Sequence, residues 1–206
     1  MKISELKNQA IESLNGKWSN AAIITLIYML IAGSFSVTSH FSEHYNENYS
    51  LAITIPSLLI LIPLAWGFCV YFLRIARKEN PTFSNLFDGF KDYVRVLLTG
   101  LLSSLYIFLW CLLLIIPGII KTYSYALTYY ILKDEPELRY NSAIERSMKM
   151  MDGHKMELFL LDLSFIGWYL LCIPTLGLAF FLVYPYHYTT RAHFYEALKQ
   201  AEQTAE

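Results

Sequence analysis

The sequence predicts an all-α polytopic membrane bundle of six transmembrane helices. They form three hairpins, each preceded by a cytoplasmic amphipathic helix. Three observations carry this: a composition too apolar for an ordinary soluble chain, a one-sided distribution of basic residues, and a motif that recurs three times. The 206 residues are 55% hydrophobic and only 16% charged, and the mean hydropathy is +0.37. Such values move the expectation from a globular enzyme towards a membrane protein. The net charge of −1 offers no basic face for nucleic acid.

The first element is residues 1–18, MKISELKNQAIESLNGKW. Ile3, Leu6, Ala10 and Leu14 fall on one stripe of a helix. Glu5 and Glu12 distinguish the segment from a signal peptide, so it is expected to be retained. Apolar runs long enough to cross a bilayer, or nearly so, follow at 20–39, 51–75, 94–116, 117–133, 156–172 and 174–191. IPG at 116–118 and IPTLG at 173–177 place turns that divide two otherwise overlong runs. Pro56 and Pro63 read instead as kinks within the second span.

With the N-terminus inside, six crossings leave every lysine and arginine except Lys121 on the inner side. The outer loop HFSEHYNENYS (40–50) has none. This is the segregation expected of a multi-pass protein of the bacterial cytoplasmic membrane with both termini in the cytoplasm.

The repeat lies just before the odd-numbered spans. NGKW enters the first, DGFK within FSNLFDGFKDY (83–93) enters the third, and DGHK at the end of YNSAIERSMKMMDGHK (140–155) enters the fifth. Gly16, Gly89 and Gly153 are therefore read as helix C-caps. The repeat-like units are about 1–79, 80–136 and 137–206 within one membrane domain, 1–206. In the third unit Tyr140, Ile144, Met148 and Met151 form the apolar stripe. Ser142 with Glu145 reads as a capping box. Lys149, His154 and Lys155 are placed for lipid headgroups or a partner. Trp168 and Tyr169 are assigned to helix packing and the outer interface.

The string AIERSMKMMDGHKMELFLLDLSFIGWYLL (143–171), PYHYTTRAHFYEAL (185–198) and LLIIPGIIKTYSYALTYYILKDEP (113–136) together resemble a bacterial membrane family, domain of unknown function 975. The resemblance covers nearly the whole chain. It implies a multi-pass protein of the cytoplasmic membrane and supplies no catalytic residue. The helix-turn-hairpin layout is more distantly similar to the membrane domain that accompanies some glycerophosphodiester phosphodiesterases. Their catalytic domain has no counterpart here, so only lipid contact is suggested.

Candidate chemistry is sparse. Asp162 and Lys121 are the ionisable residues placed within spans, where charge is costly and marks either a structural pair or a proton or substrate path. Span four carries Lys121, Ser124, Tyr125, Thr128 and Tyr129 on one side, which suits a transport lining or helix–helix hydrogen bonds. Tyr184, Tyr186, His187, Tyr188 and Tyr195 read as an aromatic belt. HFSEH matches an inverted zinc-peptidase pattern. If span one extends, His40, His44 and Glu47 share a face that can take up a metal adventitiously. Cys69, Cys111 and Cys172 have no zinc spacing and read as small packed residues. No nucleophile elbow or phosphate-binding glycine loop occurs.

Two functional classes remain. One is a non-enzymatic scaffold, accessory or lipid-interacting factor without a cofactor, whose expected partners are membrane lipids and either a partner protein or further copies of itself. The other is a small transporter or permease component with a polar path near Lys121, Tyr125 and Asp162. An interior cavity reaching both Asp162 and the polar side of span four would speak for the second.

Overall fold

A computed structural model describes the backbone of residues 2–43 and 47–205 and the side chains of 2–35 and 56–204. Among the described residues the regular structure is entirely helical. Helix α1 (Ile3–Leu14) buries Leu6, Ala10 and Leu14 of the predicted stripe together with Ser13, while Ile3 stays half-buried. Gly16 then turns the chain at φ +73°, and α2 (Trp18–Glu43) and α3 (Glu47–Ala76) follow. Helix α3 runs unbroken through Pro56 and Pro63. Its stretch Pro56–Ala76 is 67% buried, against 17% for Trp18–Phe35 of α2. That difference makes α3 the central helix. Phe68 and Phe72 anchor its core, Phe68 stacking on Tyr28 with ring centroids 4.4 Å apart.

A 3-10 helix, Phe83–Phe90, lies against α3. Here Gly89 departs from the expected C-cap. It has no positive φ; a Cβ on it would stand 2.1 Å from the Pro63 carbonyl oxygen. Gly67 of α3 is equally tight, 1.9 Å from the Leu86 carbonyl oxygen. These two glycines allow backbone to pack directly on backbone. Gly153 (φ +78°) does turn the chain as expected.

Helix α4 (Tyr93–Leu113) and α5 (Ile115–Ser124) pack side by side. The break between them falls at Leu114, which is extended. Pro117 therefore sits in the first turn of α5, where its missing N–H costs nothing. Gly118 faces Cys111 closely, its Cβ position being 2.3 Å from Cys111 Sγ. The chain continues through α6 (Thr128–Asp134) and α7 (Asn141–Met150), then α8 (Lys155–Leu163), α9 (Ile166–Leu170) and α10 (Phe180–Ala205). Among the described residues three helices, α2, α3 and α4, are long and apolar enough to cross a membrane. The arms expected to be spans four and five are each two short helices.

Two local expectations change. The capping box at Ser142 and Glu145 does not form. Ser142 Oγ donates to the Arg139 carbonyl, while Asn141 donates to Glu145. Tyr140 takes φ +50° and its N–H donates to Thr99 Oγ1 of α4 at 3.1 Å. The buried stripe of α7 is Ala143, Ile144, Ser147 and Met150, with Met151 just beyond. Tyr140 stays exposed. The stripe rotates because α7 packs on α4 and α6. Ser147 Oγ donates to the Ser124 carbonyl at 2.9 Å and accepts from the Leu127 N–H at 3.2 Å.

Ion pairs tie these elements to α10. Arg77, just past α3, bonds Asp134 at 2.5 Å and Glu196 at 2.7 Å. Tyr195 donates to Asp134 at 2.9 Å, and Lys199 pairs with the same oxygen. Arg146 of α7 binds Glu202 at 2.6 Å and Glu135 at 3.3 Å. Burial alone would raise the Asp134 carboxyl; the hydrogen bonds from Arg77 and Lys199 hold it below the ordinary carboxylate value.

Candidate functional site

Asp162 points towards α10, where His187 and Arg191 stand four residues apart on one helical face. His187 Nε2 lies 2.8 Å from Asp162 Oδ1, and Arg191 Nη2 donates to Oδ2 at 3.0 Å. The Tyr169 hydroxyl bonds His187 Nδ1 at 2.8 Å, so a Tyr–His–Asp–Arg chain results. Phe165 stacks on the imidazole, with centroids 4.6 Å apart. Lys7 of α1 adds a cation nearby, its Nζ 4.3 Å from the Phe165 ring centroid and 3.0 Å from the Ser164 carbonyl. The Asp162 carboxylate is thus electrically compensated, as a carboxylate away from water must be.

Beyond Arg191 lies a cavity of about 260 Å³. Tyr28 of α2, Cys69 of α3, Ser103 of α4, Tyr125 and Tyr129 of the fourth arm, and Arg191 of α10 line it. Ser103 Oγ is buried with no hydrogen-bond partner among the described residues. Arg191 faces two environments, Asp162 on one side and the hydroxyl-lined cavity on the other. Tyr125 and Arg191 line the cavity, whereas Asp162 bonds Arg191 from outside its lining.

Lys121 is not part of this arrangement. Its Nζ lies 3.8 Å from Met148 Sδ of α7 and 5.0 Å from the Trp110 ring centroid. Lys149 is exposed on α7. His154 and Lys155 stand beside the carboxylates of their own turn, Glu157 at 3.6 Å and Asp152 at 3.9 Å. His44 lies outside the described residues, as do the side chains of His40 and Glu47. Among the described residues no group of three His, Cys, Asp or Glu could hold a metal.

Sequence reasoning missed the roles of His187 and Arg191, counting one as belt and the other as an inner-side charge. Their i,i+4 spacing opposite a carboxylate in an apolar run was the available signal. Trp168, assigned to helix packing and the outer interface, does pack: its ring meets Tyr186 at 6.0 Å, which meets Trp18, the first residue of α2, at 6.5 Å.

A family model described as "Protein of unknown function (DUF975)" matches residues 1–127 and 111–202. No curated protein and no solved structure matches the chain.

Proposed function

The chain belongs to the DUF975 family, and we propose that it serves as a non-enzymatic scaffold or lipid-interacting factor of the bacterial cytoplasmic membrane. In this reading three helical hairpins enter the bilayer from the cytoplasmic side, and both termini remain in the cytoplasm. The observation that carries it is the separation of surfaces. Large apolar side chains lie exposed along the hairpins, from Leu105 to Ile120 and from Met156 to Leu182. The ion pairs of Arg77, Asp134, Arg146, Glu196 and Glu202 gather instead around the end of α10. An apolar girdle beside a cross-braced charged plate suits a protein that holds a position in the membrane and presents a surface to lipids, a partner protein or a second copy.

The test is native mass spectrometry after purification in native-lipid particles. Co-isolated anionic phospholipid or a stoichiometric protein partner is expected. A bare monomer overturns the scaffold reading.

The cavity favours a second reading, a small transporter component with Tyr125 and Arg191 on its path. Ser103→Leu would fill the cavity. Loss of a bound small solute in that variant, with lipid retention unchanged, would select transport.

A further inference from the structure

We propose that the two later hairpins do not cross the bilayer. Their tips, residues 111–120 between α4 and α5 and residues 170–178 between α9 and α10, end in the hydrocarbon of the cytoplasmic leaflet, covered by lipid acyl chains. The proposal rests on the membrane reading above and deepens it: α2–α3 becomes the full crossing, and the other hairpins become wedges in one leaflet.

The tips present hydrocarbon and little else. Leu112, Leu113, Ile115 and Ile116 are 68–74% exposed in the first, and Ile173 and Leu176 are 74% and 95% exposed in the second. A turn that reached the far aqueous face would hold these side chains in water. The segment read from the sequence as the outer connection, HFSEHYNENYS (40–50), is by contrast polar.

Much of the tip backbone is also hydrogen-bonded within the chain. Backbone in lipid must satisfy its polar groups internally. In the second tip the N–H groups of Leu171, Cys172 and Ile173 donate to carbonyls three residues back. Leu176, Gly177 and Leu178 likewise donate to Ile173, Cys172 and Thr175. Ala179 donates to Thr175 Oγ1, which itself donates to the Leu171 carbonyl. Pro174 has no N–H to satisfy. In the first tip the irregular residue Leu114 has both its N–H and its carbonyl bonded and Pro117 removes a donor, while the N–H groups of Ile115 and Ile116 remain as the open donors of the first turn of α5.

Depth follows from the contacts at the base of each tip. Lys121 touches Met148 on α7, the helix that exposes Lys149. From Lys121 to Leu114 is seven residues, about 10 Å at 1.5 Å per residue. In the other hairpin Trp168 shares Tyr186 with Trp18, at the inner start of α2. Six residues separate Trp168 from Pro174, about 9 Å. Both reaches are about a third of a hydrocarbon core of roughly 30 Å. Helix α4 is about 31 Å long, and α7 runs beside it from Thr99, which accepts from Tyr140, to the level of Trp110, where Lys121 meets Met148; in the proposed arrangement α4 therefore lies steeply tilted in the leaflet with α7 beside it. Asp162 also loses its strangeness: it lies at the level of Lys7 on the surface helix α1, near the interface.

The test uses single-cysteine variants in right-side-out and inverted vesicles: Leu114→Cys, Leu176→Cys and, in the loop assigned outside, Asn46→Cys. A membrane-impermeant maleimide is the probe. Asn46→Cys labels from outside, and the two tip cysteines label at under a tenth of that rate from either side. A fluorophore attached to the tips is quenched by doxyl-labelled phosphatidylcholine and not by aqueous iodide. Labelling of either tip from outside at a rate near that of Asn46→Cys overturns the proposal while leaving the membrane reading intact. Failure of Asn46→Cys to label from outside overturns both. The tip side chains touch little protein, so these variants fold; Cys111 of the unmodified chain, exposed near the first tip, repeats the measurement without any substitution and must also resist the external probe.

Discussion

Asp134→Asn is the substitution whose effect can be worked most fully. The carboxylate is 6% exposed and its Oδ2 receives Arg77 at 2.5 Å, Tyr195 at 2.9 Å and Lys199. Asparagine keeps the shape and removes the charge. Breaking a buried ion pair on one side costs about 3–5 kcal/mol, because the surviving charge is left uncompensated. Two features argue for the lower end. Arg77 keeps Glu196, and Lys199, 34% exposed, can turn to water. A loss of about 3 kcal/mol corresponds to roughly 6–12 °C in Tm for a chain of this size. The assay is thermal unfolding in detergent, followed by circular dichroism, with Lys78→Met as control. That lysine pairs with Glu12, but both side chains are about 70% exposed, and exposed pairs contribute under about 1 kcal/mol. A drop for Asp134→Asn no larger than that of the control refutes the argument. Acidification supplies an independent check. Because the folded Asp134 value is depressed, its contribution is complete above the unfolded value, near 3.9, and is lost as pH falls through the folded one. Wild-type Tm therefore declines below about pH 4, and the decline is shallower in Asp134→Asn.

Gly67→Ala and Gly89→Ala each drive a methyl group into a carbonyl oxygen about 2 Å away and should each lose about 3 kcal/mol, whereas Gly33→Ala, with nothing within 4 Å, leaves Tm unchanged within about 2 °C; equal melting of all three would disprove the close approach. Asp162→Asn strips the charge facing Arg191 and His187 and is expected to cost about 2–3 kcal/mol, partly restored in the double variant with Arg191→Met; additive losses in that cycle would show the groups are uncoupled. Lys121→Met keeps the aliphatic packing and forfeits the cation over Trp110, a change of under about 1 kcal/mol, and a larger loss would give Lys121 a role its contacts do not explain.

Helix periodicity predicted α1 well: Leu6, Ala10 and Leu14 are buried as a stripe, since an amphipathic helix reports its own face. It was half right for α7: Ile144 and Met151 are buried, but Tyr140 is exposed and Ala143, Ser147 and Met150 join the buried face, which α4 and α6 choose. Glycine spacing had the same limit. Gly16 and Gly153 turn the chain, but Gly89 exists for the sake of Pro63, 26 positions away along the chain, and no local pattern announces such a meeting. The Asp162 site was half legible. A carboxylate in an apolar run demands a partner; which cation supplies it depends on how α8 lies on α10. The cavity was legible only as a polar line on one helix, since a cavity belongs to several elements at once.

Helix α10 carries the partners of charges made much earlier in the chain. Glu196 answers Arg77, Lys199 answers Asp134, Glu202 answers Arg146, and Arg191 with His187 answers Asp162. Synthesis runs from the N-terminus, so each of these charges leaves the ribosome before its partner on α10, although Arg77 and Arg146 meet Asp134 and Glu135 sooner. The bonds of Asp162 to His187 and Arg191, of Arg77 to Glu196 and of Arg146 to Glu202 form only when that last helix is in place.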